Sequence, residues 1–157
     1  MIRIAAILDS LGPSQNSFYL IKEFNKLVKD VEYAPVCFYS NLSPPVVKPF
    51  FSCMNISYYS TYYGYTIAST VETANLMLKT HNSSEKVFYV WDLEWLRRPI
   101  AFDEVIKIMR DERITLVARS EHHKDLIERY ANKKVAGIVD NWNMKQFEEI
   151  LWTPAKS

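Results

Sequence analysis

The sequence predicts an α/β protein: a doubly wound, mainly parallel sheet of about six strands between two layers of helices. Short apolar runs recur at Ile2–Leu8, Ala34–Tyr39, Val87–Trp91, Thr115–Ala118 and Val135–Val139. Stretches with apolar residues at helical spacing alternate with them. The runs themselves are too uniformly apolar to leave one face in water, as expected of parallel strands covered on both sides.

The elements follow in order. Ile2–Leu8 closes in Asp9-Ser10-Leu11-Gly12-Pro13-Ser14, a dense turn signal. Asn16 or Ser17 can cap the helix carrying Phe18, Leu20, Ile21, Phe24, Leu27 and Val28. Ala34–Tyr39 is the second strand and ends at Ser40-Asn41-Leu42-Ser43-Pro44-Pro45. Val46–Tyr65 mixes aromatic and polar residues without a clean period, and Ile56–Tyr59 offers a short third strand. From Ala68 the pattern turns helical: Ser69 or Thr70 can cap, Glu72 suits the first turn, and Val71, Ala74, Leu76, Met77 and Leu78 are apolar. Val87–Trp91 is the fourth strand, and Asp103 opens a helix that buries Val105, Ile106, Ile108 and Met109. Thr115–Ala118 is the fifth, followed by a helix capped by Ser120 and bearing Leu126, Ile127 and Tyr130. Val135–Val139 is the sixth, and Met144–Leu151 a final helix.

Repeated strand–helix alternation with right-handed crossovers gives a three-layer α/β/α, Rossmann-like architecture of strand order 3-2-1-4-5-6. The 157 residues suit one domain, 1–157. In such a sheet, ligands bind beyond the strand carboxyl ends, where the order reverses. The loop Asp9–Asn16 and the segment Asp92–Arg98 are expected to face each other there.

Composition narrows the function classes. A net charge of +1 offers no broad attraction for nucleic acid or an anionic membrane, so neither is an expected partner. Three glycines leave no G-x-G-x-x-G fingerprint and no Walker A loop. The two cysteines, Cys37 and Cys53, lie in apolar surroundings without C-x-x-C spacing and read as buried free thiols of a reducing compartment. Ile2–Leu8 is too short for a signal peptide core, and no run reaches the ~20 apolar residues of a membrane span, so a cytoplasmic location is expected.

Four strand-end segments carry the candidate chemistry. Asp9–Asn16 feeds a helix N-terminus, whose free N–H groups favour an anion; it reads equally as a capped turn. Asp92 and Glu94 form an acid pair, yet Asp92 can also cap a short helix and Glu94 pair with Arg97 or Arg98. Trp91 and Trp95 offer flat faces for a sugar or base, or simply pack. Arg119-Ser120-Glu121-His122-His123 follows the fifth strand, with the adjacent histidines pointing about 100° apart and so unsuited to one metal. Asp140-Asn141-Trp142-Asn143 follows the sixth and can cap the last helix. No G-x-S-x-G elbow or Ser-His-Asp order is present.

Ile4–Phe18 with its loop, Tyr89-Val90-Trp91-Asp92-Leu93-Glu94-Trp95, Leu116-Val117-Ala118-Arg119-Ser120-Glu121 and Gly137-Ile138-Val139-Asp140-Asn141-Trp142-Asn143 together resemble the N-terminal half of GT-B glycosyltransferases. The resemblance implies a sugar, nucleotide or similar polar ligand, with a nucleotide-sugar as the cofactor class. It also implies a second, donor-binding domain, here expected on a partner chain or dispensed with, so that no independent catalysis is expected. The ligand contacts so expected are Asp9, Ser10, Ser14 and Asn16; Asp92, Glu94, Trp95 and Arg97; and Arg119, Ser120 and Glu121. No catalytic residue and no metal site is assigned. A rival expectation is a homodimeric interaction module using the tyrosine-rich segment 46–65, whose few charges suit an interface core.

Overall fold

The computed structural model describes residues 1–96 and 102–152. Among these, seven strands form one sheet in the order β3-β2-β1-β4-β5-β6-β7, and every neighbouring pair is parallel. In chain order the elements are β1 (Ile2–Leu8), α1 (Gln15–Leu27), β2 (Tyr33–Tyr39), β3 (Ser52–Asn55), a 3-10 turn (Ile56–Thr61) and β4 (Tyr63–Ala68). There follow α2 (Val71–Lys79), β5 (Ser83–Val90), a short 3-10 turn (Glu94–Leu96), α3 (Phe102–Met109), β6 (Ile114–Ala118), α4 (Glu121–Ala131) and β7 (Gly137–Ile138). The last are α5 (Met144–Phe147) and a π-type turn (Glu148–Trp152). The doubly wound α/β class expected from the sequence is therefore present.

Side-chain alternation along the strands builds two cores. Ile4, Ala6 and Leu8 of β1 face Leu20, Ile21 and Phe24 of α1 and Phe147 of α5. Ala5 and Ile7 face the opposite side, with α2, α3 and α4 supplying Met77, Ile106 and Ile127. Both sets are buried, and each large apolar side chain so placed contributes about 1.5–3 kcal/mol.

Three sequence expectations are corrected. The third strand is Ser52–Asn55, and Ile56–Tyr59 lies in a 3-10 turn. A seventh strand, β4 (Tyr63–Ala68), begins among the tyrosines of 46–65, where the sequence shows no strand period. It pairs with β1 over Tyr65–Ala68, and just before that ladder Gly64, at φ 123°, lets the chain pass close to Arg3: a Cβ there would meet Arg3 O at 2.6 Å. Consequently the neighbour of β1 at the switch point is β4 and not Val87–Val90, which is one strand further out.

The helix starts follow local chemistry. Ser14, not Asn16 or Ser17, caps α1, its Oγ accepting from Ser17 N. Thr70 caps α2 in a reciprocal box with Thr73, and Ser120 caps α4 through His123 N. No helix among the described residues is long and apolar enough to cross a membrane.

Candidate functional site

The carboxyl ends of β1, β4 and β5 open on a crevice of about 490 Å³ at the point where the strand order reverses. Its walls are Asp9, Ser10, Gly12, Ser14 and Asn16 after β1, Ser69 and Thr70 after β4, and Trp91, Asp92 and Glu94 after β5. A second hollow of about 410 Å³ shares Asp9, Thr70 and Glu94 and adds Glu72, Asn75 and Glu104. The loop after β1 and the segment after β5 thus line one space, with the β4 turn interposed between them.

The first loop is held by its own hydroxyls. Ser17 Oγ donates to Ser10 O at 2.9 Å, Gly12 N donates to Ser10 Oγ, and Ser14 Oγ accepts from Ser17 N. Asp9 Oδ1 accepts from Asn41 Nδ2 at 2.7 Å, which ties the loop to the end of β2. Asn16 spans the crevice floor: its Nδ2 donates to Ser69 Oγ at 2.8 Å and its Oδ1 accepts from Trp142 Nε1 at 2.7 Å. Both ends of that amide serve the fold.

Glu94 reaches sideways to α2. Its Oε2 accepts from Val71 N at 2.7 Å, so a carboxylate of this chain sits at the N-terminus of α2, where the helix dipole favours negative charge. The acid pair expected from the sequence is therefore placed at the crevice, with Glu94 bonded to α2. Trp95 is 4% exposed and packs edge-on against Tyr130 in the core. The expected stacking face of Trp95 is thus turned into the protein. Arg97 lies outside the described residues.

Arg119, at the end of β6, stacks on the Trp91 ring at 3.6 Å from its centroid. Its guanidinium also donates to Trp91 O and Asn141 Oδ1, each at 3.1 Å. Ser120 is engaged as the α4 cap, and Glu121 is exposed on the first turn of that helix. The third group of expected contacts therefore flanks Trp91, beside the crevice wall.

Three features of this rim go beyond what the sequence indicates of the same segments. Ser69 and Thr70, cap candidates in the sequence, are delivered to the crevice by β4. Trp142 is fully buried at φ 63°, next to Asn141 at φ 43°, a left-handed pair held by the Asn16 and Arg119 hydrogen bonds. His123 lies near Arg119 and Asp92; burial first, then the Arg119 charge, holds its pKa below the usual imidazole value. The sequence signal for the Trp142 turn was its Asn-rich context alone.

Compared with known proteins, the chain matches no family model, no curated protein and no solved structure. The geometry of the crevice therefore carries the functional argument. Among the described residues, no group of three or more His, Cys, Asp or Glu side chains is placed to hold a metal ion. What the crevice offers is carboxylate and hydroxyl oxygen above an aromatic and amide floor. Such a lining accepts hydrogen bonds from hydroxyl donors, and those to a carboxylate are the stronger kind.

Proposed function

We propose that this chain binds a sugar or similarly hydroxyl-rich, uncharged ligand in the switch-point crevice, in the manner of the acceptor half of a GT-B glycosyltransferase. The observation that carries the reading is the Glu94–Val71 hydrogen bond. A helix N-terminus beyond the strand carboxyl ends of such a sheet favours an anion such as phosphate. Here α2 receives a carboxylate of its own chain, and Asp9 and Asp92 line the same space. A phosphate at that N-terminus would meet the Glu94 carboxylate already bonded to Val71 N, while Arg119 stacks on Trp91 and donates to Asn141. A sugar hydroxyl carries no charge to set against that carboxylate.

Thermal-shift measurements with neutral hexoses and disaccharides, nucleotides and inorganic phosphate test this. A ligand that binds only the native state adds about 2.7 kcal/mol at a hundredfold excess over Kd. Neutral sugars should raise the Tm, phosphate and nucleotides should not, and Asp92→Asn should diminish the sugar response. Stabilisation by phosphate or nucleotide alone, or by none of these probes, would overturn the reading.

A further inference from the structure

The two edges of the sheet are built differently. β7 is two residues long, and the terminal π-type turn packs so tightly on it that a Cβ at Gly137 would lie 2.5 Å from Ile150 Cδ1. Lys133, Lys134 and Asp140 flank it in sequence. Short length, cover and charge are how sheet edges are kept from pairing with other chains.

β3 has none of that charge. From Pro49 through Val71 the chain carries no Asp, Glu, Lys or Arg, although it holds 19 basic and 18 acidic residues in all. The strand's outer side chains Ser52 and Met54 are exposed, and Phe50 and Tyr58 on either side of it are 66% and 65% exposed. Pro49 lies before the strand, outside its ladder. Lys48, with its Nζ 5.4 Å from the Phe50 ring centroid, marks the limit of the uncharged surface.

We infer that this edge is a homodimer interface, in which β3 of one copy pairs antiparallel with β3 of a second across a two-fold axis. An edge strand presents alternating N–H and C=O groups that another strand edge satisfies. A two-fold operation brings the same row to itself and closes the assembly, joining the two sheets through their β3 strands. The charge pattern selects the partner. The run from Pro49 to Val71 supplies no counter-ion to a charged segment, whereas this chain's own β3 is uncharged and flanked by aromatic side chains, the composition of interface cores. This inference does not depend on the ligand proposed for the crevice.

Sedimentation velocity of the full chain over a concentration series tests it, with Ser52→Lys, Met54→Lys and the off-strand variant Tyr58→Lys. The wild type should move from 18.4 kDa towards twice that mass as concentration rises. Each lysine sets like charges against each other across the axis, so the variants should stay at the monomer mass with unchanged far-UV circular dichroism. Tyr58→Lys decides the matter should the strand variants misfold. A wild type that is monomeric at the highest concentration reached, or a dimer that folded variants retain, overturns the inference.

Discussion

Trp142 Nε1 donates to Asn16 Oδ1 at 2.7 Å, across 126 residues of chain, and so links the start of α1 to the turn after β7. The same amide donates to Ser69 Oγ after β4. One side chain therefore joins three strand-end segments around the crevice.

Removing that clasp leaves a fully buried indole N–H unpaired. Asn16→Leu is expected to destabilise the fold by about 1–3 kcal/mol, the desolvation penalty of an unsatisfied group. Trp142→Phe, which removes the donor and shrinks the ring, leaves the Asn16–Ser69 bond in place and adds a packing loss. Urea denaturation at constant m-value gives both numbers.

Glu94 is expected to stabilise α2 from outside the helix. Glu94→Ala removes the acceptor from Val71 N and should cost about 0.5–2 kcal/mol, the range for loss of an N-terminal cap. Glu94→Gln keeps a carbonyl acceptor but loses the charge near the helix dipole, so its cost should be smaller. Thermal melts of the two variants side by side separate hydrogen bond from charge.

Asn132 ends α4 at φ 51°, exposed to solvent. Asn132→Gly should be neutral or stabilising by up to about 1 kcal/mol, because glycine carries no Cβ penalty in this region. Asn132→Val should lose about 1 kcal/mol or more, since a branched side chain is strained there. Their Tm order, Gly at or above Asn and Val below both, is the check.

Acid sensitivity should centre on Asp111. Hydrogen bonds from the Arg113 side chain, at 2.8 and 3.0 Å, hold its pKa down from 3.8 to about 2. A carboxyl whose folded pKa is depressed adds stability that is fully present above pH 3.8 and is lost as pH falls through about 2. Asp111→Asn should therefore lie below the wild type at neutral pH and converge with it below pH 2. Arg113 is largely in water, so the gap should be small. Tm measured against pH for both proteins shows whether the curves meet.

Much of the architecture was legible along the chain. The aliphatic runs of β1, β2, β5 and β6 and the helices between them stand out because buried strands and amphipathic helices have different periods. β4 did not stand out. Tyr63, Gly64, Tyr65 and Thr66 form no apolar run, and it is pairing with β1 on one side and β5 on the other that makes them a strand. The tyrosines of 46–65 also divide: Tyr59 and Tyr62 are buried against Phe38, while Tyr58 and Tyr63 are exposed.

The sequence by itself determined the α/β class, the strand-end positions of Asp9, Ser10, Ser14, Asp92 and Arg119, the cap at Ser120, and a cap at Ser69 or Thr70. These depend on local spacing and on side-chain chemistry within a few residues. Tertiary structure alone decided which strand adjoins β1, that Trp95 is core, that Asn16 meets Trp142, and that Glu94 bonds the first N–H of α2. Those outcomes depend on contacts between residues far apart in the chain, and no local period encodes which distant partner a buried donor or acceptor will find.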